Sequence, residues 1–234
     1  MNQHKEMTDA AQAAARVVDG VAPEQFGAAT PCTEWDAREL LNHLILWTSY
    51  SLERRAHGES VAPELMEKNF AASPSFAADY RGQLDRALAA WSDPAVWERD
   101  LPVMGTSTPA SDVAAMMIAE FVLHGWDLAV ATGQEYTVAD DAAAAALAAV
   151  EANAEMFRQY KGFADPVRLP AGASALERAL AASGRDPRWP ALRNSPGVTE
   201  FTDSYRAATA GAPFIWSMRL CTWAAPSATW WRMV

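Results

Sequence analysis

The sequence predicts an all-α protein. Long segments repeat apolar residues at the three-to-four-residue spacing of helices. Short stretches marked by proline and glycine separate these segments, and only residues 101–103 suggest an extended strand. The chain has 234 residues, half of them hydrophobic, which is enough for a substantial core and excludes a largely disordered protein.

The first two helices are predicted from their caps. The first is expected to begin after Thr8, a favoured N-cap residue, and to end near Gly20. Thr33 is expected to cap the second helix, with Asp36 in its first turn, where a negative charge complements the helix dipole. The inner face of this second helix contains a histidine among apolar residues: Leu40, His43, Leu44, Trp47 and Ser51.

The third and fourth helices follow a similar pattern. The third covers residues 77–91, and the fourth begins with Thr108 as its cap and Pro109 in its first turn. Three titratable residues lie on the inner face of the fourth helix, which comprises Val113, Met116, Met117, Glu120, His124, Asp127 and Leu128. Burying such groups without partners would be costly, so the pattern predicts that they have partners.

Two further helices are predicted after the bundle. The fifth begins at Asp140 and ends near Gly162, and a short one covers residues 174–182. We expect residues 1–190 to form the helical bundle and residues 191–234 to form an atypical tail, loosely packed or disordered. All 29 carboxylates precede Ser204, whereas the tail is rich in tryptophan, with Trp216, Trp223, Trp230 and Trp231. An appendage packed on the bundle, a partner-binding segment and a shifted reading frame are three interpretations of it.

Composition restricts the partners and the compartment. A net charge of −10 and a pI near 4.8 argue against nucleic acid and anionic membranes, which leaves small molecules or proteins. Cys32 and Cys221, in a chain without a signal-peptide pattern, indicate a cytoplasmic protein without a disulfide framework. The apolar stretches are interrupted before the roughly 18 residues that a membrane-spanning helix requires.

A metal site is predicted from three residues. Glu120 and His124 stand four positions apart, so a helix places both side chains on one face. His43 is the natural third ligand, because it lies on a second apolar helix face. His4, in a polar terminus, and His57, where a helix is expected to end before a glycine, are less suitable.

Each residue of this set also has a simpler interpretation. A glutamate and a histidine four residues apart are more often a surface pair than a ligand pair, and a lone buried histidine is usually a hydrogen-bonded core residue. Asp127 is expected either to accept a hydrogen bond from a metal-binding histidine or to serve as a polar partner at the helix end. Trp35, Trp47 and Trp126 are expected in the core or in a pocket wall.

Four segments together resemble a known family: PCTEWD at residues 31–36, LLNH at 40–43, EFVLHGWDLA at 120–129 and GRDP at 184–187. They are similar to actinobacterial metal-binding proteins related to the N-terminal domain of mycothiol-dependent maleylpyruvate isomerase, of the DinB-like superfamily. The resemblance implies a four-helix bundle with a divalent ion between its helices. It places the family's His, Glu and His ligands on His43, Glu120 and His124.

The resemblance also implies a function. Three protein ligands leave an open position, as in catalytic zinc sites, and in this family that position is thought to bind a low-molecular-weight thiol. The leading hypothesis is a metal- and mycothiol-dependent transferase or isomerase-like enzyme that joins a thiol to an unidentified electrophile. Zinc is the default ion, although nickel, cobalt, manganese and iron(II) accept such ligands.

Two other hypotheses remain. Nothing between Asp141 and Val234 resembles the isomerase's second domain, which favours a non-catalytic metal-containing binding or regulatory protein as the alternative. The third hypothesis is a structural bundle in which His43, Glu120 and His124 form a hydrogen-bonded cluster without an ion.

Overall fold

The computed structural model describes residues 3–32, 35–103, 106–160 and 162–189. It confirms the all-α prediction, since helices dominate and the strands β1 (Asp100–Val103) and β2 (Thr106–Pro109) form a small antiparallel hairpin. The helices are α1 (Gln3–Asp19), α2 (Ala37–Ile45), α3 (Ser51–Ala56), α4 (Pro63–Met66), α5 (Phe76–Trp91), α6 (Pro94–Trp97), α7 (Ala110–Thr132), α8 (Asp140–Gln159) and α9 (Ala175–Ala182).

Four long helices form the bundle. A π-helical turn, Leu46–Tyr50, joins α2 to α3, so that the two continue as one helix. This helix packs with α5 and α7, α1 also packs with α5 and α7, and α7 contacts α1, α2 and α8. The additional helix α8 covers α7 and α1, and α9 packs on α8, as predicted for extra C-terminal helices.

Helix α1 begins six residues before the predicted start, at Gln3. Thr8 is not its cap, because the Thr8 hydroxyl donates to the carbonyl of His4 inside the helix at 2.8 Å. His4, expected in a poorly ordered terminus, is held by the tertiary structure. Its Nε2 donates to the carbonyl of Leu88 at 3.3 Å, and its ring meets the Trp97 ring edge-on. Packing against α5 and the segment after it therefore extends α1 beyond the local cap.

Helix α2 uses a different cap from the predicted one. Asp36 is its N-cap, and Thr33 lies outside the described residues. The Asp36 carboxylate accepts from the backbone N–H of Glu39, and the Glu39 carboxylate accepts from that of Asp36, both at 3.0 Å. This reciprocal capping box satisfies two of the N–H groups that a helix start leaves unpaired.

The start of α7 also differs from the prediction. Thr108 does not cap the helix, because it pairs with Leu101 in the β hairpin. Pro109 is the N-cap, and α7 begins at Ala110. The other predicted elements agree closely with the structure: α5 starts at Phe76, β1 includes residues 101–103, and Ser174 caps α9. Helix α8 begins at Asp140 as predicted and ends at Gln159, before Gly162.

Helix α7 is the central core helix. It is long and apolar enough to cross a membrane, with a mean hydropathy of 1.5 over its best 18-residue window, so the expectation that no stretch reached this length is wrong. However, 78% of that window is buried inside the protein. The apolar character of α7 is therefore accounted for by its contacts with α1, α2 and α8.

Two other expectations concern the chain ends and the cysteines. Cys32 is buried. Cys221 and the predicted tail, residues 191–234, lie outside the described residues.

Candidate metal centre

The three predicted ligands come together between α2 and α7. The Nε2 atom of His43 lies 3.1 Å from Oε2 of Glu120, and Nε2 of His124 lies 3.5 Å from the same oxygen. One nitrogen or oxygen from each of the three residues lies within 4.8 Å of the other two. The arrangement follows from the sequence, because Glu120 and His124 are one turn apart on α7 and α2 packs His43 against that turn.

The cluster is largely enclosed. His43 is 8% exposed and His124 is 4% exposed, whereas the side chain of Glu120 keeps 18% of its surface accessible. Glu120 is thus the side through which solvent or a small molecule can approach. Trp35 covers the other side, with its ring centre 4.5 Å from that of His43 and 5.9 Å from that of His124.

The electrostatics of the site favour a neutral His43 and an ionised Glu120. Burial lowers the pKa of His43, although the hydrogen bond to Glu120 opposes this effect, so its imidazole is neutral at pH 7. Burial alone would raise the pKa of Glu120, but His124 and His43 outweigh it and lower that pKa to about 2. Glu120 is therefore a carboxylate, and it faces the neutral imidazole of His43.

Asp127 holds His124 in the required tautomer. The Nδ1–H of His124 donates to Oδ2 of Asp127 at 3.0 Å, which leaves the Nε2 lone pair facing Glu120. Asp127 is fully buried, and burial would raise its pKa, but Arg185 and His124 lower it. Of the two roles expected for Asp127, the structure shows the one in which it accepts a hydrogen bond from a candidate ligand.

Arg185 completes this support, although no role is predicted for it from the sequence. Its Nε donates to Oδ1 of Asp127 at 2.9 Å, and its Nη2 donates to Oδ2 at 2.8 Å. Its Nη1 donates to the hydroxyl of Ser183 at 3.1 Å. The indication available in the sequence was a buried aspartate on α7 that required a cation, together with the arginine of the GRDP segment.

Two glycines in the motifs allow close packing. A side chain at Gly184 would place Cβ 2.6 Å from Cβ of Ala164 and 2.9 Å from its carbonyl carbon, and Gly184 has a φ of +86°. A Cβ at Gly125 would lie 3.0 Å from the ring of Tyr136. Both positions adjoin residues of the centre, since Gly125 follows His124 and Gly184 precedes Arg185.

The aromatic residues divide between the centre and the core. Trp35 contacts both histidines, and the Trp47 ring centre lies 6.4 Å from that of His43, so both are wall residues. Trp126 packs in a separate apolar cluster with Val150 and Leu180, on the side of α8 and α9.

The donors fit a divalent ion. Two ligands about 2.1 Å from a tetrahedral ion lie about 3.4 Å apart. The two separations from Oε2 of Glu120, 3.1 and 3.5 Å, are close to that value, and all three donor atoms lie within 4.8 Å of one another. Two imidazoles and a carboxylate suit zinc and neighbouring first-row metals.

Comparisons with known proteins agree with this fold. Residues 7–129 match the family described as the mycothiol maleylpyruvate isomerase N-terminal domain. Uncharacterized proteins of Mycobacterium tuberculosis strains H37Rv and CDC 1551 are each 25% identical over 196 residues, which covers 76% of this chain and 95% of each relative.

A solved structure is also similar. The crystal structure of the mycothiol-dependent maleylpyruvate isomerase superposes with a TM-score of 0.55 at 19% identity, over 79% of this chain and 90% of that chain. This likeness concerns the fold alone. Because it extends over most of the isomerase chain, it does not support the expectation that this protein has no counterpart of the isomerase's second domain.

Proposed function

The chain belongs to the family of the mycothiol maleylpyruvate isomerase N-terminal domain, and on this premise we propose that it is a metal- and thiol-dependent transferase or isomerase-like enzyme. Its metal ligands are His43, Glu120 and His124. The observation that carries the proposal is the convergence of three donor atoms, two of them 3.1 and 3.5 Å from Oε2 of Glu120, in a buried site with one accessible side.

The surrounding residues suit a metal centre better than a plain hydrogen-bonded cluster. A structural cluster needs only that each buried polar atom be bonded, whereas here Asp127 fixes the tautomer of His124 so that Nε2 faces the other donors. Arg185 in turn holds both oxygens of Asp127. This carboxylate–histidine arrangement is the usual support of a zinc-binding imidazole.

Three protein ligands leave at least one position for an exogenous group. A divalent ion bound there would supply Lewis acidity and lower the pKa of a thiol, which makes it a nucleophile at neutral pH. Trp35 and Trp47 exclude water from the histidine side, and Glu120 forms the accessible side. The proposed partners are a low-molecular-weight thiol, mycothiol by family, and an electrophile of unknown identity. Zinc is the proposed ion.

The alternative is a non-catalytic protein that binds the metal and the thiol without turnover. The observation that favours it is the small accessible surface of the centre, because only Glu120 among the three donor residues retains more than a tenth of its side-chain surface. Such a site admits a thiol more readily than a thiol and an electrophile together.

Thiol binding and turnover test the proposal. Mycothiol is titrated by calorimetry into the zinc-loaded protein and into Glu120→Gln, with mercaptoethanol as a simple thiol probe. A panel of electrophiles is then added, and loss of free thiol is measured. Binding with turnover that depends on Glu120 supports the enzyme, and binding without turnover supports the alternative. If neither thiol binds the zinc-loaded protein, both functions are wrong.

A further inference from the structure

Arg55 is a buried cation with no carboxylate at ion-pair distance among the residues that the structure describes. It lies near the end of α3 and is 8% exposed. Its Nη1 donates only a weak hydrogen bond, to Sδ of Met117 at 3.5 Å, and its guanidinium carbon lies 5.9 Å from the centre of the Trp47 ring. Arg185, by comparison, donates hydrogen bonds to both carboxylate oxygens of Asp127. Burying a charge with such weak contacts is costly. The burial of the Arg55 guanidinium therefore requires an explanation.

The position of Arg55 is next to the candidate metal centre. Trp47 follows His43 by one turn, and Met117 precedes Glu120 by about one turn on the antiparallel α7. Because the guanidinium contacts both Trp47 and Met117, it lies in the layer of side chains next to the layer that contains His43 and Glu120. Burial lowers the pKa of Arg55, and Glu120 is the charged group that opposes this effect.

Ser51 is a second unusual polar group in this layer. It is fully buried, and its Oγ finds no hydrogen-bond partner among the residues that the structure describes. Buried hydroxyls are nearly always bonded. Ser51 lies one turn before Arg55 and one turn after Trp47, on the same side of the helix. It directly follows the π-helical turn Leu46–Tyr50, and such turns occur frequently at functional sites.

The charges around the candidate metal centre indicate that Arg55 lacks an anionic partner when the metal ion is bound. Asp127 and Arg185 neutralise each other as a closed pair, which leaves Glu120 as the counter-charge of Arg55. When Glu120 ligates a divalent ion, its charge is taken up by that ion. A thiolate then cancels only one of the remaining positive charges, so the layer around Arg55 keeps an unbalanced positive charge.

We propose that Arg55, assisted by Ser51, binds a carboxylate of the small molecule that reacts at the metal centre. The inference rests on the proposed function and extends it to the substrate class. A guanidinium offers a planar fork that matches a carboxylate, and the Ser51 hydroxyl supplies a further donor. Trp47 and Met117 flank the guanidinium with apolar surface. Met117, which the guanidinium contacts, lies about one helical turn before Glu120, a rise of roughly 5 Å that a chain of two to four carbons spans.

The test uses paired thiols on the zinc-loaded protein. Mercaptoacetate, 3-mercaptopropionate and 4-mercaptobutyrate are each compared by calorimetry with the alcohol of the same length. The native protein is expected to prefer at least one acid by about ten- to hundredfold, as for a hydrogen-bonded charged group. Arg55→Met, which keeps the apolar stem but removes the charge, is expected to lose this preference but to bind the alcohols unchanged. Ser51→Ala is expected to lose a smaller part of it.

Arg54→Met is the matched control, because it removes the same charge one residue away. Arg54 is more exposed and is already paired with Glu59 at 3.2 Å and with the carbonyl of Ser60 at 2.7 Å, so the acid preference should persist in this variant. Retained alcohol binding by Arg55→Met serves as the check that the variant is folded. Arg55→Lys, which retains the charge without the fork, should keep only part of the preference.

A second arm identifies the molecule that carries the carboxylate. Propionate is titrated into the native protein already saturated with the alcohol thiol, where binding lost in Arg55→Met assigns the carboxylate to the electrophile. If the native protein prefers the mercapto acids over the mercapto alcohols but does not bind propionate, the carboxylate is assigned to the thiol. Equal binding of acids and alcohols by the native protein, with no propionate binding, overturns the carboxylate site and leaves the proposed function standing. Failure of every thiol to bind overturns both.

Discussion

Asp127→Asn is the substitution that most sharply tests the support of the centre. The change is nearly isosteric, but it replaces one carboxylate oxygen by an NH2 group. In the native protein both oxygens accept hydrogen bonds, from His124 Nδ1 at 3.0 Å and from Arg185 Nε and Nη2 at 2.9 and 2.8 Å. In either amide orientation a donor would face a donor, and the buried guanidinium would lose its counter-charge.

Two magnitudes follow from these contacts. Breaking one side of a buried ion pair costs about 3–5 kcal/mol of the free energy of unfolding. Loss of the group that orients a ligating histidine weakens metal binding by about 10- to 100-fold. The free energy of unfolding is measured by urea denaturation with a chelator present, so that metal does not contribute, and zinc affinity is measured by competition with a chelating dye.

Asp186→Asn is the control for Asp127→Asn. Asp186 pairs with Arg188 at 2.8 Å, but the Arg188 side chain is 72% exposed. Removing a partner from such a surface pair should cost less than about 1 kcal/mol and leave zinc affinity unchanged. If Asp127→Asn matches this control in both measurements, the assigned role of Asp127 is refuted.

Two further substitutions test the motif glycine and the buried histidine. Gly184→Ala should destabilise the fold by about 1–3 kcal/mol more than Gly172→Ala in urea, because both positions have a φ of +86° but only Gly184 abuts Ala164; equal losses would show that this contact is unimportant. Burial lowers the pKa of His43, so below about pH 6.5 the metal-free unfolded chain binds more protons than the folded one, and stability is lost as the pH falls. His43→Gln should remove that part of the pH dependence in urea titrations at pH 5–8, and an unchanged profile would contradict it.

The elements with strong periodicity were predictable from the sequence. Helix α5 and the inner face of α7 follow from regular apolar spacing, and the four-residue spacing of Glu120 and His124 predicted that the two side chains share one face of a helix. The helix starts were less predictable. Thr8 is a good N-cap by type, but burial of Met7 and the contacts of His4 with Leu88 and Trp97 extend the helix past it, so tertiary packing overrides the local preference.

The supporting residues could not be predicted from local patterns. Arg185 meets Asp127 across 58 positions of sequence, and no periodicity connects two such residues. Arg55 stands beside Arg54 in the chain, and only the fold distinguishes the buried guanidinium from the paired one at the surface. The π-helical turn adds to this difficulty, because it shifts the helical phase between His43 and Arg55.

The central claim is that His43, Glu120 and His124 hold a metal ion, and metal content per chain tests it most directly. Elemental mass spectrometry is applied to the native protein, to His43→Ala and His124→Ala, and to His57→Ala as the exposed-histidine control, all purified without added metal. We predict near-stoichiometric metal in the native protein and in His57→Ala, and its loss in the other two variants. Native protein that carries no metal even after reconstitution with zinc would contradict the account and leave a hydrogen-bonded structural bundle.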